Sequence, residues 1–150
     1  MPVLLDRCRL ALLLLFTVMF TGPITAVQAQ GGTNLIDGFV FHDAVPDDLF
    51  GRGDVALLGA TITLRDAAGT LVASTITDVN GQFQFRGLPT GAYTITQTDL
   101  PGFGSVDAMP GTAAVNVDLN TIQIRMTAGP TTYAGNLFLD RPMAVPPPVG

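Results

Sequence analysis

The chain has 150 residues, a length that fits one domain, and its charge is carried entirely by Asp and Arg: 12 acids against 7 bases, with no Lys, Glu or Trp. Setting aside Arg7, Arg9 and Asp6 of the leading segment changes the net charge from −5 to −6, with 5 Arg against 11 Asp. Such an acidic domain is repelled by phosphate backbones, which argues against nucleic acid as a partner. The single cysteine, Cys8, lies too early to give a mature domain a disulfide or a reactive thiol.

Arg7 and Arg9 precede the apolar run Leu10 to Phe20, and Val27-Gln28-Ala29 places small residues before a cut. This pattern predicts a cleavable signal peptide over 1–29 and a mature chain starting near Gln30. The 11-residue run is short of the roughly 20 residues that cross a bilayer, so no transmembrane anchor is expected in the mature chain. Residues 30–33, Gln-Gly-Gly-Thr, read as a flexible start.

Beyond that point the apolar residues recur with a period of two, broken at short intervals by Gly, Pro, Asn and Asp, which predicts an all-β domain. Asn34 to His42 reads as the first strand, with Phe39 and Phe41 on one face and Val40 and His42 on the other. A long acidic loop, Asp43 to Leu58, follows. Gly59 to Asp66 and Thr70 to Thr77 form a hairpin through Ala67-Ala68-Gly69. Asp78-Val79-Asn80-Gly81 is a turn, after which Phe83 and Phe85 point to the core.

Leu88 to Gly91 turns the chain into Ala92 to Thr98, with Tyr93 and Ile95 on one face, and Pro101 to Gly111 reads as a loop. Val115, Val117 and Leu119 fall on odd positions while Ile122, Ile124 and Met126 fall on even ones. The buried parity is thus expected to switch at a turn or bulge around Asn120-Thr121. Tyr133 to Asp140 is the last expected strand. The tail over 141–150, rich in proline, is expected to stay out of the sheet as an extended segment. About seven strands in some 110 residues suit a single Greek-key β-sandwich of the immunoglobulin-like kind.

Several segments carry a family resemblance: Gly38-Phe39-Val40-Phe41-His42-Asp43, Leu57 to Asp66, Thr77 to Phe85, Gly87 to Thr98, Pro101-Gly102-Phe103 and Gly135 to Leu139. In order and spacing they resemble the SdrD B-like (Cna B-type) domain of bacterial surface proteins, over most of 34–140. The resemblance implies a prealbumin-like sandwich with a mechanical and adhesive role, secreted or on the cell surface, with the periplasm as another compartment. Many relatives in the wider group hold an intramolecular Lys–Asn isopeptide bond, which a sequence without Lys cannot form.

The same resemblance implies a calcium loop with oxygen-bearing side chains, Asp, Asn, Asp, Asp and Glu, at positions one, three, five, nine and twelve, which here hold Asp43, Val45, Asp47, Gly51 and Asp54. Three carboxylates, Asp43, Asp47 and Asp54, would therefore form a degenerate calcium site. Carbonyls, water or Asp48 would have to complete the six to eight oxygens that calcium takes. The competing reading is a solvated acidic loop whose Asp residues cap their own turns. Arg52-Gly53-Asp54 spells an integrin-recognition tripeptide, but the calcium-loop alignment already accounts for Gly53 and Asp54.

No catalytic arrangement emerges from the sequence. His42 is the single histidine and Ser74 and Ser105 the only serines, without a nucleophile elbow or a usual zinc-ligand set. No enzyme is expected. The leading reading is an exported structural or adhesion-type module that meets an extracellular protein or glycan. The alternatives are a calcium-dependent protein- or glycan-binding module, and an accessory domain of the carboxypeptidase-regulatory-like kind beside an enzyme.

Overall fold

The computed structural model describes residues 32–129 and 131–144; the expected signal peptide over 1–29, Gln30, Gly31 and tail residues 145–150 lie outside the described residues. Ten strands form, and among the described residues there is no helix. They are β1 Asn34–His42, β2 Val55–Ala56, β3 Thr61–Asp66, β4 Leu71–Ile76 and β5 Gln82–Leu88, then β6 Gly91–Thr98, β7 Phe103–Met109, β8 Ala114–Asp118, β9 Thr121–Met126 and β10 Thr132–Pro142.

Two five-stranded sheets face each other. One runs β2-β1-β10-β7 with β5 also paired to β1, and the other runs β4-β3-β6-β9-β8. The first and last strands pair in parallel, Gly38 opposite Asn136 through His42 opposite Asp140, whereas the other strand pairs are antiparallel. The period-two pattern explains the sandwich, since each strand sends alternate residues inward. Ile36, Val40, Phe83, Phe85, Tyr133 and Phe138 from one sheet meet Ile62, Leu64, Tyr93, Ile95, Ile122, Ile124 and Met126 from the other. Each fully buried aliphatic or aromatic side chain contributes about 1.5–3 kcal/mol.

Buried polar side chains fix the joints of this frame. Asn136 Nδ2 donates to the carbonyls of Asp37 at 2.9 Å and Tyr133 at 3.1 Å, while its Oδ1 accepts the Gly111 N–H at 3.2 Å. These bonds sit where the β1–β10 register shifts. Gly38 lies at the same joint, and a Cβ there would stand 2.1 Å from the Asn136 carbonyl oxygen and 2.4 Å from the Phe83 ring, so no other residue fits. Thr77 Oγ1 donates to Leu57 O at 2.6 Å and accepts the Ala60 N–H at 3.0 Å, tying the end of the acidic loop to the second sheet.

Several expectations need correction. Pro101 to Gly111 is not all loop, because Phe103–Met109 pairs antiparallel with β10 as an edge strand. The segment lacks apolar alternation and all of it except Ala108 is half-buried, so periodicity could not mark it. The tail joins the sheet for two more residues, with Arg141 opposite Gly104 and Pro142 opposite Phe103, and the Met143 N–H then donates to Gly102 O at 2.8 Å. Pairing with β1 stops at Asp140, so Pro142 lies on a strand with one neighbour, where its missing N–H costs no ladder bond. Ten strands therefore stand where about seven were expected.

Val115, Val117 and Leu119 are 50–59 % exposed, whereas Ile122, Ile124 and Met126 are buried. The parity change is a hairpin with a register shift between Asn116 and Asp118, and the odd-numbered apolar residues face solvent. Gly32 is not free either, since its N–H donates to Gly87 O at 3.2 Å.

Candidate functional site

The acidic loop leaves β1 at the pole where β3 begins and β6 ends, and returns through the two-residue β2, which pairs with Phe41 and His42. Asp43, its first acid, has a side chain wholly shielded from solvent. The Asp43 N–H donates to Asp140 O at 2.8 Å, continuing the β1–β10 ladder and driving the side chain inward. Its partner is Arg141, whose Nη2 donates to Asp43 Oδ2 and, at 2.5 Å, to Asp48 Oδ1. The backbone N–H of Asp48 also points to Asp43 Oδ2, at 3.4 Å, with Asp48 in the left-handed region at φ 60°.

Burial pushes the Asp43 carboxyl up, but the hydrogen bond and charge of Arg141 and the N–H groups of Asp48 and Asp47 outweigh it and hold the group below its ordinary 3.8.

The other two candidate ligands are turned to their own backbone. Asp47 Oδ1 accepts the Leu49 N–H at 3.0 Å and Asp54 Oδ2 accepts the Gly51 N–H at 2.8 Å, both as local turn caps. Asp43, Asp47 and Asp54 are thus not brought together, and among the described residues no group of three His, Cys, Asp or Glu gathers around a common point. The arrangement does not fit a calcium shell, because a guanidinium lies against the two carboxylates that do converge. Arg52 is exposed and Asp54 half-buried, with the Asp54 carboxylate engaged inside the loop rather than displayed beside Arg52.

Behind the loop lies a second polar cluster. Asp140 on β10 is fully buried and accepts a hydrogen bond from Gln97 Nε2 on β6, which joins the two sheets through the core. Asp140 Oδ1 and Gln97 Oε1 are buried acceptors that no donor reaches. Burial raises the Asp140 carboxyl to about 7, with the Gln97 bond lowering it and the Asp99 charge raising it further. Protonated, the acid can donate to one of those acceptors, so the neutral form suits the site. Ser105, on β7 rather than in a loop, donates to Asp99 at 2.9 Å, and Ser74 Oγ donates to Ile62 O at 3.3 Å. His42 stacks its ring edge on Phe103, with centroids 5.5 Å apart.

On the outer face of the first sheet Phe39, Phe41 and Phe50 form a row, with centroids 5.9 and 4.7 Å apart, so that face of β1 turns away from the core that Val40 enters. The outer face of the second sheet carries a shallow groove of about 550 Å³ whose lining includes Arg65, Thr94, Val115, Gln123 and Arg125.

A family model described as the SdrD B-like domain matches residues 34–136, the span of the sandwich up to the middle of β10. The chain belongs to the SdrD B-like family. This SdrD B-like chain is 31% identical over 102 residues to the serine-aspartate repeat-containing protein F of Staphylococcus epidermidis, which is 68% of this chain and 6% of that protein. It is 32% identical over 120 residues to the serine-aspartate repeat-containing protein C of Staphylococcus aureus, covering 79% of this chain and 13% of the relative. The chain thus spans a small fraction of the length of the curated relatives it matches.

Among solved structures, the minor pilin GBS52 of Streptococcus agalactiae superposes with a TM-score of 0.50 at 12% identity, over 79% of this chain and 48% of the pilin. A D295N mutant of the shaft pilin SpaA of Lactobacillus rhamnosus GG gives 0.50 at 12% identity, over 75% and 51%. These likenesses show a shared β-sandwich fold.

Arg141 is the functional residue that sequence reasoning missed, because the prolines after it assigned it to an unpaired tail. The signal that could have found it is a charge count. The loop from Asp43 to Asp54 carries four acids, and five arginines lie beyond residue 29 as candidate counter-charges.

Proposed function

We propose that this chain is a non-catalytic structural module of the bacterial surface, which holds other surfaces apart and transmits load between its two ends. The observation that carries the reading is the parallel pairing of the first and last strands. Parallel neighbours run the same way, so the chain enters the sandwich at one pole and leaves β10 at the other, roughly 30 Å away for a nine-residue strand. Tension on the ends then loads the β1–β10 hydrogen bonds together, in shear, with β10 further clamped by β7. Membership of the SdrD B-like family supports the same reading, and the sandwich fold is shared with pilins.

Surface display is tested by placing an epitope tag in the exposed Ala67–Gly69 turn and probing intact and lysed cells with antibody. Staining of intact cells is expected, and staining after lysis alone would contradict the proposal. The bearing of load is tested by pulling the domain through its two ends.

A further inference from the structure

We propose that the Arg141 guanidinium takes the place of a divalent cation at the acidic loop, so that Asp43–Asp54 is ordered by a cation tethered to the end of β10. A carboxylate as buried as that of Asp43 needs a counter-charge, and the nearest one in this fold is Arg141. One guanidinium nitrogen bridges two acids of the loop, Asp43 from its first position and Asp48 from its left-handed corner. That is the part a metal ion plays in such a loop, drawing separate carboxylates to one centre. Asp47 and Asp54, which a calcium shell would recruit, instead cap backbone N–H groups within the loop.

Two buried atoms at the joint, Asp43 Oδ1 and Arg141 Nε, are the pair that a bidentate fork joins when the carboxylate turns to lie parallel to the guanidinium. A calcium ion cannot share Asp43 and Asp48 with that guanidinium, because two like charges would meet at contact distance.

The placement links two distant parts of the chain. Arg141 is held opposite Gly104 on β7, so the charge that orders the loop also fastens the last strand at the pole where the chain leaves the sandwich. A tethered cation is not lost to chelation or dilution, and the module needs no calcium from its surroundings to complete this end.

Thermal unfolding of the purified protein in millimolar EDTA and in millimolar calcium chloride tests the proposal, beside Arg141→Gln and the double variant Arg141→Gln, Asp43→Asn. The parent midpoint is expected to be the same in both solutions. Arg141→Gln is expected to melt roughly 5–10 °C lower in EDTA. Calcium should recover part of that loss, and the double variant should show no recovery. Calcium raising the parent midpoint, Arg141→Gln melting like the parent in EDTA, or a loss that calcium does not recover would each overturn it. Should Arg141→Gln not fold, calorimetric titration of calcium into the parent decides. Absence of binding heat supports the proposal and saturable heat overturns it.

Discussion

Two aspartates one ladder bond apart behave in opposite ways with pH, because one carboxyl has a cation beside it and the other has a neutral amide. Asp43, held below 3.8 in the fold, favours the folded state above its unfolded value and loses that contribution as pH falls through its folded value. Asp140, raised to about 7, favours the folded state fully below 3.8, and its contribution is lost as pH rises from there through about 7. Between those limits the unfolded chain binds fewer protons at this group than the folded one, so stability falls with pH. Urea unfolding across pH 4 to 8 is expected to show greatest stability in the mildly acidic range. Asp140→Asn should flatten the decline and stabilise the protein at pH 8 by on the order of 1–3 kcal/mol. At the β1–β10 joint, Asn136→Ala removes three hydrogen bonds of a buried side chain and is expected to cost roughly 2–4 kcal/mol in the same measurement.

Strands with a single-period pattern were legible in the sequence, and those without one were not. β3, β5 and β6 each bury alternate residues, and Ile62, Leu64, Phe83, Phe85, Tyr93 and Ile95 fall where a period of two places them. β7 escaped notice because an edge strand buries little on either face, and its flanking Pro101 and Pro110 read as loop punctuation. β8 misled for the opposite reason: it alternates, but its apolar face looks outward, and pattern alone does not say which side of a sheet is wet. Substitution separates the two faces of this hairpin. Val117→Thr is expected to change stability by no more than about 0.5 kcal/mol, whereas Ile124→Ala, emptying a buried position, is expected to cost about 2–5 kcal/mol by chemical denaturation. The candidate site was half legible for a related reason. The family resemblance singled out Asp43, while its partner lies 98 residues away and meets it through the parallel pairing of the end strands, which no local pattern encodes.

At the scale of the whole molecule, the parallel end strands, the Asn136 joint and the Arg141 clamp lie along one line from pole to pole, and they give the sandwich a mechanical axis. The Lys–Asn isopeptide bond that the family resemblance attaches to many members of the wider group needs a lysine. This sequence has no Lys, and non-covalent bonds along β10 carry the same path. The most direct measurement is single-molecule pulling in two geometries, since forced unfolding reports the unfolding barrier along the direction pulled. One geometry attaches Thr33 and Met143, at opposite poles. The other attaches Thr33 and Thr90, which lie at one pole because β1 and β5 run antiparallel. The first geometry is expected to unfold at a force several-fold higher than the second, where hydrogen bonds open one after another. Equal forces, or a weaker pole-to-pole direction, would contradict it.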